Sequence, residues 1–107
     1  MLTEVGKAIK HTAPHVSVVM GIYNCAHTLP KAIESILNQT YDKWELILCD
    51  DCSTDNTYSV AQEYAQKDSR IKLLRNTENT GCNIVLNRCI AAAKGLYIAI
   101  MDSDDES

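Results

Sequence analysis

An alternation constrains this chain more than any other feature. Four short apolar runs, at residues 16–20, 44–49, 70–74 and 96–101, are separated by three segments whose apolar residues recur at helical spacing. The first segment carries Leu29, Ala32, Ile33, Ile36 and Leu37. The second carries Val60, Ala61, Tyr64 and Ala65, and the third Cys82, Leu86, Cys89, Ile90 and Ala93. Runs of five or six apolar residues have strand length, whereas the longer periodic segments read as amphipathic helices. The order is therefore β-α-β-α-β-α-β. Helical crossovers make such strands parallel and place helices on the faces of the sheet. Right-handed crossovers leave few arrangements. The expected fold is α/β and Rossmann-like: a parallel sheet of order 3-2-1-4 with helices on both faces.

Local residues punctuate this pattern. Residues 21–24, starting at Gly21, read as the turn after the first strand. Thr28 is placed to cap the first helix, with Pro30 in its first turn, and Thr54 or Asp55 to cap the second. Gly95 reads as the C-cap of the third. The third run, with Arg70 and Lys72, is the most polar and belongs nearer an edge. The fourth reads as a buried strand.

The 107 residues, 46% hydrophobic, suit one small domain. Residues 1–14 read as a leader: Leu2, Val5, Ala8 and Ile9 fit one side of a short helix that Pro14 ends. His11 and His15 have no partner at metal-ligand spacing. A formal net charge of −4 argues against a nucleic acid polymer as partner. An acidic protein that binds an anionic nucleotide needs positive charge from elsewhere, and a divalent cation is the obvious source. The five cysteines are an odd number, and Cys49, Cys82 and Cys89 sit in apolar patterns. They read as reduced core residues. No signal-type apolar stretch or membrane-length run is present. The expected location is cytoplasmic, extending to the inner face of the membrane for a full-length protein.

In an open α/β sheet, ligands bind at the carboxyl ends of the strands, where the order reverses. The chemistry collects there. The first strand ends at Gly21, Tyr23 and Asn24, the second at Asp50 and Asp51, and the fourth at Asp102, Asp104 and Asp105. The order 3-2-1-4 brings all three loops to one crevice. The i, i+2 spacing of Asp102 and Asp104 can point two carboxylates the same way. Such carboxylates repel unless a cation joins them. Mg²⁺ or Mn²⁺ takes one or two protein oxygens and fills the rest of its shell with phosphate and water. Of the pair Asp50 and Asp51, one can cap its own loop and the other can accept a hydrogen bond from a base N–H. Tyr23 can stack on the base.

Plainer readings compete. A D-x-D at a chain end is often a solvated acidic tail, and an Asp pair after a strand often only caps a loop. Cys49 and Cys52 have C-x-x-C spacing, but a reactive pair needs its first thiol exposed at a helix start, and Cys49 ends an apolar strand. Zinc would need two more ligands at metal spacing. A phosphoryl-accepting receiver domain places its acidic pair after the first strand, not the second. An EF-hand reading of Asp102, Asp104 and Glu106 fails because a strand precedes them.

Residues 16–24 (VSVVMGIYN), 32–41 (AIESILNQTY), 45–55 (ELILCDDCSTD) and 93–105 (AKGLYIAIMDSDD) together resemble family 2 glycosyltransferases of the GT-A fold. The resemblance covers about residues 16–105. It implies transfer of a sugar, with inversion, from a nucleotide diphosphate sugar, often UDP-linked, to a saccharide or lipid acceptor of unknown identity. It also implies roles by position. Gly21 and Tyr23 lie against the nucleoside, Asp51 bonds the uracil ring, Asp102 faces the ribose and diphosphate, and Asp104 binds Mn²⁺ or Mg²⁺. Two departures stand out: Gly21 where many relatives have Pro, and Cys52 where many have Gly. The family's general base lies beyond its acidic motif. Residues 15–107 are therefore expected to be a truncated nucleotide-sugar-binding part, with no catalytic base and no transfer of its own. A homodimer through an exposed fourth strand is expected. The alternative is a nucleotide-binding module without catalysis.

Overall fold

The computed structural model describes residues 15–39 and 41–101. The elements run β1 (Val16–Ile22), α1 (Leu29–Leu37), β2 (Trp44–Asp50), α2 (Thr57–Lys67), β3 (Ile71–Arg75), α3 (Cys82–Ala92) and β4 (Tyr97–Ile100). All four strands are parallel, in the order β3-β2-β1-β4. This is the expected α/β sheet, and its polar third strand is at an edge.

Strand pleating divides the core in two. On one face Met20 and Ile22 of β1 and Leu46 and Leu48 of β2 pack against Leu29, Ala32, Ile33 and Ile36 of α1 and Ala61 of α2. On the other, Val19, Ile47 and Cys49 pack against Val85 and Cys89 of α3. Every residue of β2 is buried, as befits a parallel strand covered on both sides. Each fully buried aliphatic side chain contributes roughly 1.5–3 kcal/mol. Truncating Ile33, which has no exposed surface, would cost about 2–5 kcal/mol.

Several local expectations need correction. β1 continues to Ile22, so Gly21 is inside the strand, opposite Cys49 in register, rather than in a turn. On α3 the inward positions are Val85 and Cys89, one helical turn apart. Ile90, expected in the core, is exposed, because one further residue rotates it about 100° off that face. The Cys82 side chain lies outside the described ones. Gly95 is not the C-cap: Ala93 is, in an extended conformation. Glycine at 95 instead permits a close approach, since a Cβ there would fall 2.7 Å from the Ser17 backbone N. The N-cap position of α2 is Asn56, with no side-chain cap bond. The capping expected of Asp55 is still made from one residue earlier: its Oδ1 accepts the Thr57 N–H at 2.9 Å.

The fourth strand, apolar in composition, was also expected to be an exposed edge. Its residues are exposed, and none of them belongs to either cluster of buried side chains. Among the described residues β4 pairs only with β1 and stands at the sheet edge. A buried polar cluster fastens its approach. Glu45 Oε2 accepts from Ser17 Oγ and from the Lys94 N–H, both at 2.6 Å. Ser17 Oγ in turn accepts the Gly95 N–H at 2.7 Å.

Candidate functional site

The carboxyl ends of β1 and β2 are stitched into one rigid rim. Asn24 has φ of 48°, a left-handed conformation that Asn adopts more readily than most residues. From there its Oδ1 accepts the backbone N–H of Thr54 at 2.8 Å and of Asp55 at 3.3 Å. In return the Asn24 N–H donates to Ser53 Oγ and the Cys25 N–H to Thr57 Oγ1. Cys52, with φ of 65°, occupies a backbone conformation that favours glycine. The departure from glycine that the resemblance implies therefore falls at a position of positive φ.

The two carboxylates at the end of β2 have different partners. Asp50 is fully buried and caps its own loop, accepting from the N–H and hydroxyl of Ser53. Its Oδ2 lies 3.5 Å from Arg75 Nε. Asp51 faces the other way. Its Oδ1 accepts from Asn76 Nδ2, the Thr80 N–H and Thr80 Oγ1, and its Oδ2 accepts from the Gly81 N–H, each at 2.9 Å. Burial alone would raise its pKa. The bonds from Asn76, Thr80 and Gly81 outweigh that and hold the carboxyl at about 2, below the ordinary 3.8. Gly81 is the N-cap position of α3, so the positive end of that helix favours the anion as well.

Asp51 borders a cavity of about 280 Å³, lined also by Gly21, Tyr23, Asn79, Gly81 and Val85. Ligand sites usually begin near 300 Å³, so the space suits one part of a ligand, such as a planar ring. Tyr23 is 46% exposed, which leaves its ring available to a stacking partner. A Cβ on Gly21 would sit 2.8 Å from Val85 Cγ1, so the glycine lets α3 close the floor of the cavity. A larger space of about 380 Å³, lined by Val16, Ile36, Tyr41, Trp44 and Ile100 among others, lies beside β4. Among the described residues its lining includes no charged one. The smaller cavity is the better candidate because it gathers an ionised carboxylate, an amide, backbone groups and a tyrosine.

The structure thus brings Gly21, Tyr23 and Asp51 together. Asp102 and Asp104 lie outside the described residues. The Met101 N–H donates to Val19 O at 3.0 Å, so the chain still runs beside β1 at Met101. Among the described residues no group of three His, Cys, Asp or Glu is placed to hold a metal ion. Asp50 and Asp51 both accept from protein donors.

Cys49 and Cys89 are fully buried. Burial raises both thiol pKa values, that of Cys89 to about 11. This agrees with core packing and not with a reactive pair. The residues that sequence reasoning missed are Asn76, Thr80 and Gly81, which hold Asp51. Their signal was the run Asn76-Thr-Glu-Asn-Thr-Gly81, dense in amide, hydroxyl and glycine, after a strand that lies beside β2.

The family model described as glycosyl transferase family 2 matches residues 17–107. The protein EpsE of Bacillus subtilis (strain 168), named as a glycosyltransferase, is 54% identical over 98 residues, covering 91% of this chain and 35% of EpsE. An Escherichia coli UDP-Glc:alpha-D-GlcNAc-diphosphoundecaprenol beta-1,3-glucosyltransferase, WfgD, is 47% identical over 90 residues, covering 84% of this chain and 35% of WfgD. Among solved structures, the mannosyltransferase PcManGT from Pyrobaculum calidifontis in complex with GDP-Man and Mn²⁺ superposes with a TM-score of 0.81 at 29% identity. That match covers 90% of this chain and 29% of PcManGT. S. aureus TarS 1-349 in complex with UDP superposes at 0.79 and 29% identity, over 85% of this chain and 28% of TarS. The chain spans about a third of the length of the curated relatives it matches.

Proposed function

The chain belongs to glycosyl transferase family 2, and on that premise we propose that it forms the nucleotide-sugar-binding part of a glycosyltransferase with a UDP-linked donor. Asp51 is the observation that carries the reading. It is an ionised, acceptor-only carboxylate lining a cavity of ring size that an exposed tyrosine also lines. Its Oδ1 accepts three bonds but Oδ2 only one, and a carboxylate oxygen can take a second. The N3–H of uracil is a suitable donor. Tyr23 stacks on the ring, and Gly21 lies against the nucleoside.

Asp102 faces the ribose and diphosphate, and Asp104 holds Mn²⁺ or Mg²⁺. A bound cation neutralises the diphosphate and so helps it depart as a leaving group. The sugar passes with inversion to a hydroxyl of a saccharide or lipid acceptor, and we assign no residue of the chain as the base that deprotonates it. The UDP named for TarS and the Mn²⁺ named for PcManGT support these assignments. The name of WfgD supports a lipid-linked acceptor. No helix among the described residues is long and apolar enough to cross a membrane.

A thermal-shift series with UDP, GDP, CDP and ADP, each with and without Mn²⁺, tests the proposal. Ligand that binds the native state raises the midpoint by mass action. UDP should raise it more than CDP or ADP, and Mn²⁺ should enlarge the UDP effect. Equal shifts with all four nucleotides would remove the base contact, and no shift with any of them would remove the function.

A further inference from the structure

Asn76 and Arg88 lie outside the roles assigned above, yet they determine how Asp51 is presented. An asparagine amide has a donating end and an accepting end, and Asn76 uses both. Its Nδ2 donates to Asp51 Oδ1 and Thr80 Oγ1 at 2.9 Å. Its Oδ1 accepts from the Arg88 guanidinium, which also donates to the Arg75 carbonyl at 3.2 Å, and more weakly from the buried Cys49 thiol at 3.8 Å. The Asn76 backbone N–H is tied to Asp50 O at 2.8 Å, and the residue is 5% exposed. An amide held at both ends cannot turn over without placing its oxygen against the carboxylate and its NH₂ against a cation.

We infer that Asn76, its amide orientation fixed by Arg88, is a positioning residue that holds the Asp51 carboxylate in place and so makes the cavity selective for bases with a ring N–H. The inference rests on the reading of Asp51 as the base contact. A ring N–H is present at N3 of uracil and N1 of guanine. Cytosine N3 and adenine N1 are acceptors at the same edge, and an ionised carboxylate repels them. Selectivity thus depends on where the Asp51 carboxylate is held, and Asn76 helps to hold the oxygen that receives three bonds.

Calorimetry of UDP and CDP on the full chain tests this, with Asn76→Asp, Arg88→Met and Arg88→Lys beside the wild type. Arg88 is exposed, so its replacements should fold, and thermal melts confirm it. The wild type should prefer UDP over CDP by roughly tenfold or more, the value of one charge-assisted bond. Asn76→Asp places a second carboxylate against Asp51 and should collapse that preference. Arg88→Met should narrow it several-fold at an unchanged melting temperature, and Arg88→Lys, which restores a donor to Asn76 Oδ1, should recover most of it. A purely structural role would change stability and not the ratio. If the wild type prefers UDP and all three variants keep its ratio, the positioning role is overturned while the base contact stands. If the wild type binds both nucleotides equally, Asp51 is not the base contact and both fall.

Discussion

Replacing Asp51 with asparagine changes one atom, and the structure says what that atom does. Both carboxylate oxygens accept bonds, three on Oδ1 and one on Oδ2. An asparagine can keep only one of these positions as an acceptor. If its oxygen stays with Asn76 and Thr80, its NH₂ faces the Gly81 N–H, donor against donor. The charge-assisted bond so lost is worth roughly 1.5–3 kcal/mol, and an unsatisfied donor at a helix start adds to it. Asp51→Asn should therefore destabilise by about 2–3 kcal/mol near neutral pH. For a domain of this size that lowers the melting temperature by about 10 °C or more. The pH dependence supplies an internal control. A carboxyl whose pKa falls from 3.8 unfolded to about 2 folded gives stability that is complete above the unfolded value and is lost as pH falls through the folded one. The difference between wild type and variant should shrink by about 1–2 kcal/mol between pH 5 and pH 2, allowing for solvent at the cavity mouth. Asp55 and Asp68 are also held below the ordinary carboxylate range, but they titrate alike in both proteins and cancel. Urea denaturation of both proteins at stepped pH makes the measurement. A variant as stable as wild type at pH 7, or a difference that does not narrow in acid, would refute the reasoning. Weaker UDP binding by Asp51→Asn alone would not establish the base contact, because the same change loosens the loop of residues 76–81.

Gly21→Ala should cost about 1–3 kcal/mol, because its Cβ meets Val85 Cγ1 at 2.8 Å; chemical denaturation checks this, and restored stability in Gly21→Ala with Val85→Ala would confirm the clash. Cys52→Gly should leave stability unchanged or raise it by up to about 1 kcal/mol, since it relieves φ of 65° and gives back part of the gain as backbone entropy; a loss beyond that would show the thiol to be structurally important. Glu45→Ala removes the shared acceptor of Ser17 and the Lys94 N–H and should cost about 2–3 kcal/mol, with hydrogen exchange accelerated first at residues 95–101. Asp104→Ala should abolish the Mn²⁺-dependent part of UDP binding and leave base recognition partly intact; an undiminished Mn²⁺ effect would place the cation elsewhere.

The layered sheet was legible because it depends on pattern alone. Apolar runs at strand length, broken by helical periodicity, admit few parallel arrangements, and the observed β3-β2-β1-β4 order is among them. Errors came where a neighbour, not the local sequence, decides. Gly95 looked like a helix cap, but only the approach of Ser17 explains it. Ile90 fits a helical stripe as well as Val85 does, and the direction from which the sheet arrives selects Val85. The apolar composition of β4 suggested burial, yet its edge position leaves Tyr97, Ile98 and Ile100 exposed. In the site, Asp51 was found through the rule for strand ends. Asn76, Thr80 and Gly81 were not, because no periodicity marks a loop that exists to satisfy a carboxylate from another strand.

The central claim is that the nucleotide enters the cavity between Tyr23 and Asp51. The most direct measurement is an amide-resolved NMR titration of the full chain with UDP in the presence of Mg²⁺. The account predicts saturable shifts concentrated at Gly21, Tyr23, Asp51, Asn79 and Gly81, the residues around the cavity. Shifts centred instead on Tyr41, Trp44 and Ile100, around the other cavity beside β4, or none at saturating UDP, would contradict it.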